Sequence, residues 1–204
     1  MSFTILRAVV FIILSFLMKD IVLFGIQGSG KGTQSQLLQE LFGDYLSYFS
    51  SGDIFRALKS SPNAIGDYLG NRLELGQLIS DDVTISMFSF YFSTILNDGK
   101  AMLLDWYPRS LPQLVDLVQQ SLHHKREIVG IYFELSREEA KKRMLWRWRP
   151  DDTLEAVDKR LDLFFEKTLP NIELFSKFFP LIRIDASPSI EEVNKKVQEY
   201  LLTQ

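Results

Sequence analysis

Apolar residues fall along this chain in two patterns. Short apolar runs bounded by turn signals stand at 21–24, 46–49, 102–105, 128–135 and 181–185. Their length and continuity predict strands buried on both faces. Between them, apolar positions recur at helical spacing over 31–41, 53–58, 64–75, 81–96, 113–122, 138–146, 154–167 and 191–202. Strands alternating with helices predict an α/β fold: a three-layer sandwich whose five-stranded parallel sheet carries helices on both faces. Residues 51–80 are helical throughout and interrupt the alternation between the second and third strands, so they read as a small inserted flap. Ligands of such a sheet sit beyond the carboxyl ends of its strands. The residues that follow each strand are therefore where chemistry is expected.

The first strand runs into Gly25-Ile26-Gln27-Gly28-Ser29-Gly30-Lys31-Gly32-Thr33-Gln34. Glycines let backbone N–H groups converge on phosphate oxygens, and a helix N-terminus adds partial positive charge. Lys31 then reaches the β- and γ-phosphates as a point charge. The fit to the P-loop template GxxxxGK[ST] departs at one place, since Gly32 stands where Ser or Thr is called for and Thr33 comes one later. The sandwich is thus expected to be P-loop NTPase-like.

The other strands end in arginines and carboxylates. Ser51, Gly52, Asp53 and Arg56 follow the second, and Asp105, Trp106, Arg109 and Gln113 end or follow the third. Arg143, Arg147, Arg149, Asp151, Asp152 and Arg160 come after the fourth. Phosphoryl transfer calls for such a set, because the moving group spreads negative charge over its oxygens and catalysis is mostly positioning and electrostatics. Planar guanidinium groups clamp phosphate oxygens with two parallel bonds, which lysine cannot do.

Composition narrows the reading. A chain of 204 residues with 46% hydrophobic content suits one domain with a sizeable core. A net charge of −3 gives no reason to expect nucleic-acid binding. With no cysteines, disulfides and thiolate zinc sites are excluded, and a cytoplasmic location is expected. His123 and His124 are adjacent and read as solvated surface residues. Residues 8–18 are almost wholly apolar, about half the length of a membrane-spanning helix. Three roles fit this segment: an over-extended start or dispensable leader, an extra packed segment, or a membrane-surface anchor. Despite it, no membrane partner is expected.

Taken together, these motifs resemble the adenylate kinases and, more broadly, the nucleoside monophosphate kinases. The resemblance covers residues 19–204. It rests on Gly25-x-x-Gly28-x-Gly30-Lys31-Gly32-Thr33-Gln34, on Ser51-Gly52-Asp53 with Arg56, and on Asp105-x-Tyr107-Pro108-Arg109 with Gln113. Arg143, Arg147, Arg149-x-Asp151-Asp152 and Arg160 complete it. It implies a kinase domain with an NMP-binding flap at 51–80, and a monomer that moves the γ-phosphoryl of Mg-ATP onto AMP, giving two ADP reversibly. A UMP/CMP kinase is the alternative acceptor class, and a catalytically weak nucleotide-binding sensor or scaffold the alternative of another kind. The resemblance assigns ATP to Gly28, Ser29, Gly30, Lys31, Gly32, Thr33, Arg143, Arg147 and Ala186. It assigns AMP to Ser51, Gly52, Arg56, Leu73, Leu78, Ile79, Arg109 and Gln113. Lys31, Arg109, Arg149 and Arg160 would act in catalysis, with Asp151 and Asp152 orienting arginines, and Asp105 would hold Mg2+ through water. No general base is implied, because a phosphate oxygen is already an anion.

Three departures from the family pattern stand out. Gln27 replaces a usual proline, and Trp106 replaces a usual glycine beside the monophosphate. Only Trp148 separates Arg147 from Arg149, where the family carries a lid, so 146–150 would be a vestigial lid with no zinc. A lid excludes water from the site, a task that Trp146 and Trp148 would share in part.

Overall fold

The computed structural model describes residues 19–96, 98–146 and 153–203. The N-terminal segment 1–18 and Arg147, Trp148, Arg149, Asp151 and Asp152 lie outside the described residues. The strands are β1 (Asp20–Gly25), β2 (Leu46–Ser50), β3 (Ala101–Asp105), β4 (Ile128–Glu134) and β5 (Leu181–Asp185). They form one parallel sheet in the order β2-β3-β1-β4-β5. Every residue of β1 is buried, as a central strand covered on both faces requires. Its side chains alternate between two cores. Val22 and Phe24 point to the one built on Phe88, Leu114, Val157 and Phe175, and Ile21 and Leu23 to the one built on Leu38, Val193 and Val197.

The covering helices are α1 (Lys31–Phe42), α2 (Ser51–Leu58), α3 (Ala64–Glu74), α4 (Asp81–Ile95), α5 (Leu111–His124), α6 (Arg137–Trp146), α7 (Leu154–Leu163), α8 (Leu169–Phe175) and α9 (Ile190–Leu201). Local chemistry starts several of them. The Ser50, Asn63, Ser110 and Thr153 side chains accept first-turn N–H bonds, and Ser189 with Glu192 makes a capping box before α9. The apolar pattern predicts one helix over 154–167, but the structure continues it. A π-helical turn, Phe164–Thr168, joins α7 to α8 without a break, and Pro170, which has no N–H to donate to the ladder, stands second in α8. No helix among the described residues is long and apolar enough to cross a membrane.

Two features of this frame position the site. α2 and α3 form the insert between β2 and β3, with a small core of their own made by Phe55, Leu69 and Ile79. Asp105, the last residue of β3, registers with both Ser50 of β2 and Leu23 of β1. β2 and β3 therefore end level while β1 runs two residues further to Gly25, next to the point where the strand order reverses. At the opposite end of β1, the buried Asp20 carboxylate accepts Arg126 Nε and Nη2, both at 2.6 Å, and the Met102 N–H at 2.7 Å.

Candidate active site

The turn after β1 is built from glycines in conformations that other residues avoid. Gly28 and Gly30 both have φ 86°. A Cβ on Gly28 would also lie 2.9 Å from the Ala140 carbonyl oxygen, so this turn presses against α6. Lys31 follows as the first residue of α1 and is 4% exposed. Its ammonium donates to the carbonyls of Gly25 at 2.5 Å and Ile26 at 3.1 Å.

Two pockets open from this point. The first lies over the turn and is lined by Gly28, Gly30, Lys31, Gly32, Thr33 and Arg143 on one side and by Asp53, Arg56, Asp105 and Trp106 on the other. Its volume is about 600 Å³. Ser29 lies within the same turn, its Oγ buried without a hydrogen-bond partner. At the far end, Arg143 donates to the carbonyls of Ala186 (3.0 Å) and Ser187 (3.3 Å), while Glu139 accepts its Nε at 2.8 Å. Arg143 and Ala186 are thus tied together over 43 residues of chain.

The second pocket lies under the insert. Ser51, Gly52, Arg56, Leu73, Leu78, Ile79, Arg109 and Gln113 all line it, so every residue the resemblance assigns to AMP meets here. Its free volume is only about 70 Å³, far below the 300–1,000 Å³ usual for a small-molecule site. Arg160 lines this pocket too and donates to the Leu73 carbonyl at 3.0 Å. The structure therefore sets Arg160 under the insert, beside Arg56 and Arg109.

Electrostatics marks the boundary between the pockets. Burial lowers the Arg109 guanidinium to about 9; Asp105 opposes this, while the nearby Arg56 and Arg160 charges add to it. Arg109 stays charged at neutral pH, and three like charges share one region, as an anion-binding site requires. Burial pushes the Asp105 carboxyl up, against the pull of Lys31 and Arg109. One Asp105 oxygen is buried without a hydrogen-bond partner, and the other is 3.4 Å from the Tyr48 hydroxyl. A single carboxylate with an unsatisfied oxygen beside a phosphate pocket suits Mg2+, which keeps its waters and takes one or two carboxylates. Among the described residues no cluster of three or more acidic or histidine side chains offers a fuller cage.

Trp106 stands on the boundary itself and lines both pockets. The Lys31 ammonium lies 4.1 Å from the centre of its ring and the Arg109 guanidinium 3.9 Å. Its φ is 68°, a region that costs a bulky side chain of order 1 kcal/mol or more. The turn holds it there, since the Trp106 carbonyl accepts Ser51 Oγ at 2.9 Å and Arg109 Nε at 3.2 Å. The indole thus faces the site rather than pointing away from it. Trp146, by contrast, is 81% exposed at the end of α6, so it packs against no core.

Sequence reasoning missed three participants. Asp81 accepts Gln113 Nε2 at 2.7 Å and Ser110 Oγ at 2.6 Å. Tyr48 reaches Asp53 as well as Asp105, and its hydroxyl is pushed up to about 12 by burial and by the Asp105 charge. Gln27 is buried and lines the insert pocket. Gln113 Oε1 in turn accepts the Arg109 N–H at 2.8 Å. The turn signal at Ser80–Asp81, heading a helix, was legible; its pairing with a residue 32 positions on was not.

Comparison with known proteins agrees with this geometry. The family model described as adenylate kinase matches residues 23–179. The adenylate kinase of Corynebacterium aurimucosum is 35% identical over 183 residues, covering 88% of this chain and 97% of that protein. That of Oenococcus oeni is 32% identical, covering 90% and 97%. That of Dehalococcoides mccartyi is 30% identical over 212 aligned positions, which use 88% of this 204-residue chain. This last relative therefore carries stretches that this chain lacks.

Proposed function

The chain belongs to the adenylate kinase family, and on that premise we propose that it transfers the γ-phosphoryl of Mg-ATP to AMP, giving two ADP. The observation that carries this reading is the pair of pockets that meet at one boundary. One carries the lysine and glycine turn of a triphosphate site. The other carries Arg56, Arg109 and Arg160 around one spot, suited to a second phosphate. A hydrolase needs only the first.

In this reading the turn amides and Lys31 hold the β- and γ-phosphates, and Arg143 with Ala186 frames the ATP base. Arg56 and Arg109 grip the acceptor phosphate, whose oxygen attacks in line with the leaving ADP. Arg160 neutralises charge on the moving group from the acceptor side. Asp105 holds the water shell of Mg2+, which when bound offsets phosphate charge. Arg147 and Arg149, outside the described residues, would complete the set. Gln113 keeps one N–H and one lone pair after its internal bonds, enough to meet the edge of adenine. Leu73, Leu78 and Ile79 provide the apolar walls.

The test is transfer by purified protein from Mg-ATP to AMP, UMP, CMP and GMP, beside Lys31→Ala. AMP should be the preferred acceptor, and Lys31→Ala should lose about a hundredfold or more in rate. Preference for UMP or CMP would move the assignment to a pyrimidine kinase. Transfer to none of the four would overturn it.

A further inference from the structure

The side chain at position 106 occupies the line that the reading above needs for transfer. A phosphoryl group passing from the Lys31 side to the Arg109 side must cross the boundary between the pockets. That boundary holds an indole whose ring centre lies 4.1 Å from the Lys31 ammonium and 3.9 Å from the Arg109 guanidinium. The indole also lines the insert pocket, where Gly52, Arg56 and Trp106 lie close together. A Cβ on Gly52 would meet Arg56 Nη1 and Nη2 at 3.2 Å and Trp106 Cδ1 at 3.4 Å.

From this geometry we propose that Trp106 is a plug in the phosphoryl-transfer line, held by Lys31 and Arg109 until the acceptor phosphate displaces it. The proposal rests on the kinase reading for the direction of transfer. Its logic is competition for the same cations. The ring face carries partial negative charge and satisfies both cations weakly, each contact being worth roughly a twofold to fivefold preference. The ATP phosphates draw Lys31, and the acceptor phosphate dianion draws Arg109 far better than the ring does, so the ring yields once the acceptor binds, and a water molecule does not displace it. With the plug in place, the γ-phosphorus is shielded on the side from which water would attack. Hydrolysis would form a bond from water oxygen to the γ-phosphorus and break the bond to the bridging oxygen. It would release ADP, inorganic phosphate and a proton. The backbone strain at φ 68° is consistent with a side chain kept in a place that glycine would fill more easily.

Two measurements on the full chain decide it. Trp106→Gly fits the backbone and should keep the thermal midpoint. It should lower the KM for AMP about tenfold and raise ATP hydrolysis without acceptor by a similar factor. Trp106→Phe, with a smaller ring, should fall between. Fluorine NMR of protein carrying fluorotryptophan, with the Trp106 resonance assigned from Trp106→Phe, should show that resonance move on addition of AMP. An unmoved resonance at saturating AMP, or acceptor-free hydrolysis in Trp106→Gly equal to wild type, would overturn the plug. Failure of the kinase reading looks different: neither wild type nor Trp106→Gly would transfer to any monophosphate, while hydrolysis would still respond to the glycine.

Discussion

Asp81→Ala tests how this chain fixes its acceptor. Gln113 is 4% exposed, and its amide is bonded at both ends: the Arg109 N–H to Oε1 at 2.8 Å, and Nε2 to Asp81 Oδ1 at 2.7 Å. The second bond reaches a carboxylate, and such bonds contribute roughly 1.5–3 kcal/mol. Asp81 fixes which end of the amide is nitrogen, and so which donor and acceptor the pocket presents to a base. Without it only the Arg109 N–H holds the amide's orientation. If that orientation energy is drawn from acceptor binding, the AMP KM rises about 10- to 100-fold, since about 1.4 kcal/mol is tenfold. The kcat at saturating AMP should change little, because Asp81 touches no phosphate-binding group. The assay is initial rates against AMP concentration at saturating Mg-ATP. Asp82→Ala is the control, removing an equal charge from the same first turn of α4. A double variant, Asp81→Ala with Gln113→Ala, should be no worse than Gln113→Ala alone. Two results would refute the reasoning: an AMP KM for Asp81→Ala within twofold of Asp82→Ala, or losses that add in the double variant.

Gly28→Ala forces a side chain into φ 86° and to 2.9 Å from the Ala140 carbonyl, so the ATP Kd, by calorimetry, should weaken at least about tenfold. Arg143→Ala unties the Ala186 turn from α6 and should raise the KM for ATP severalfold while leaving that for AMP unchanged in steady-state rates. Arg126→Met leaves the buried Asp20 carboxylate without its cation and should cost about 3 kcal/mol in urea unfolding at pH 7. Burial already holds the Asp20 carboxyl above its usual range. Between its unfolded and folded values the folded state binds more protons, so the deficit of Arg126→Met should shrink as pH falls towards 5. A deficit that grows as pH falls would refute this linkage.

The strands were legible because each is a continuous apolar run ending at a turn, and β1, buried along its whole length, is the plainest case. The end of α7 was not. Pro170 reads as a stop signal, yet the helix runs on through it, and the π turn before it has no sequence mark. In the site, Lys31, Arg56 and Arg109 were legible from fixed spacing after a strand. The place of the Trp106 ring was not, because it depends on a positive φ and on Ser51 and Arg109 holding its carbonyl, contacts 55 and 3 residues apart. Spacing reports which residues arrive together. The partners of a side chain among them depend on packing, as Asp81 and Gln113 also illustrate.

The separate core of the insert has a consequence for cooperativity. Phe55, Leu69 and Ile79 bury little surface beside the two cores that flank the sheet. The amide protons of α2 and α3 should therefore exchange with solvent by opening of the insert alone, long before those of β1 and β3, which need the whole sheet to open. An acceptor that joins Arg56 in the insert to Arg109 beyond β3 fastens the loose unit to the tight one. At a hundred times its Kd, such a ligand adds about 2.7 kcal/mol to the opening, slowing exchange in α2 and α3 about a hundredfold and leaving the strands almost untouched. On the kinase reading, acceptor binding would also complete folding, confined to one fragment of the chain.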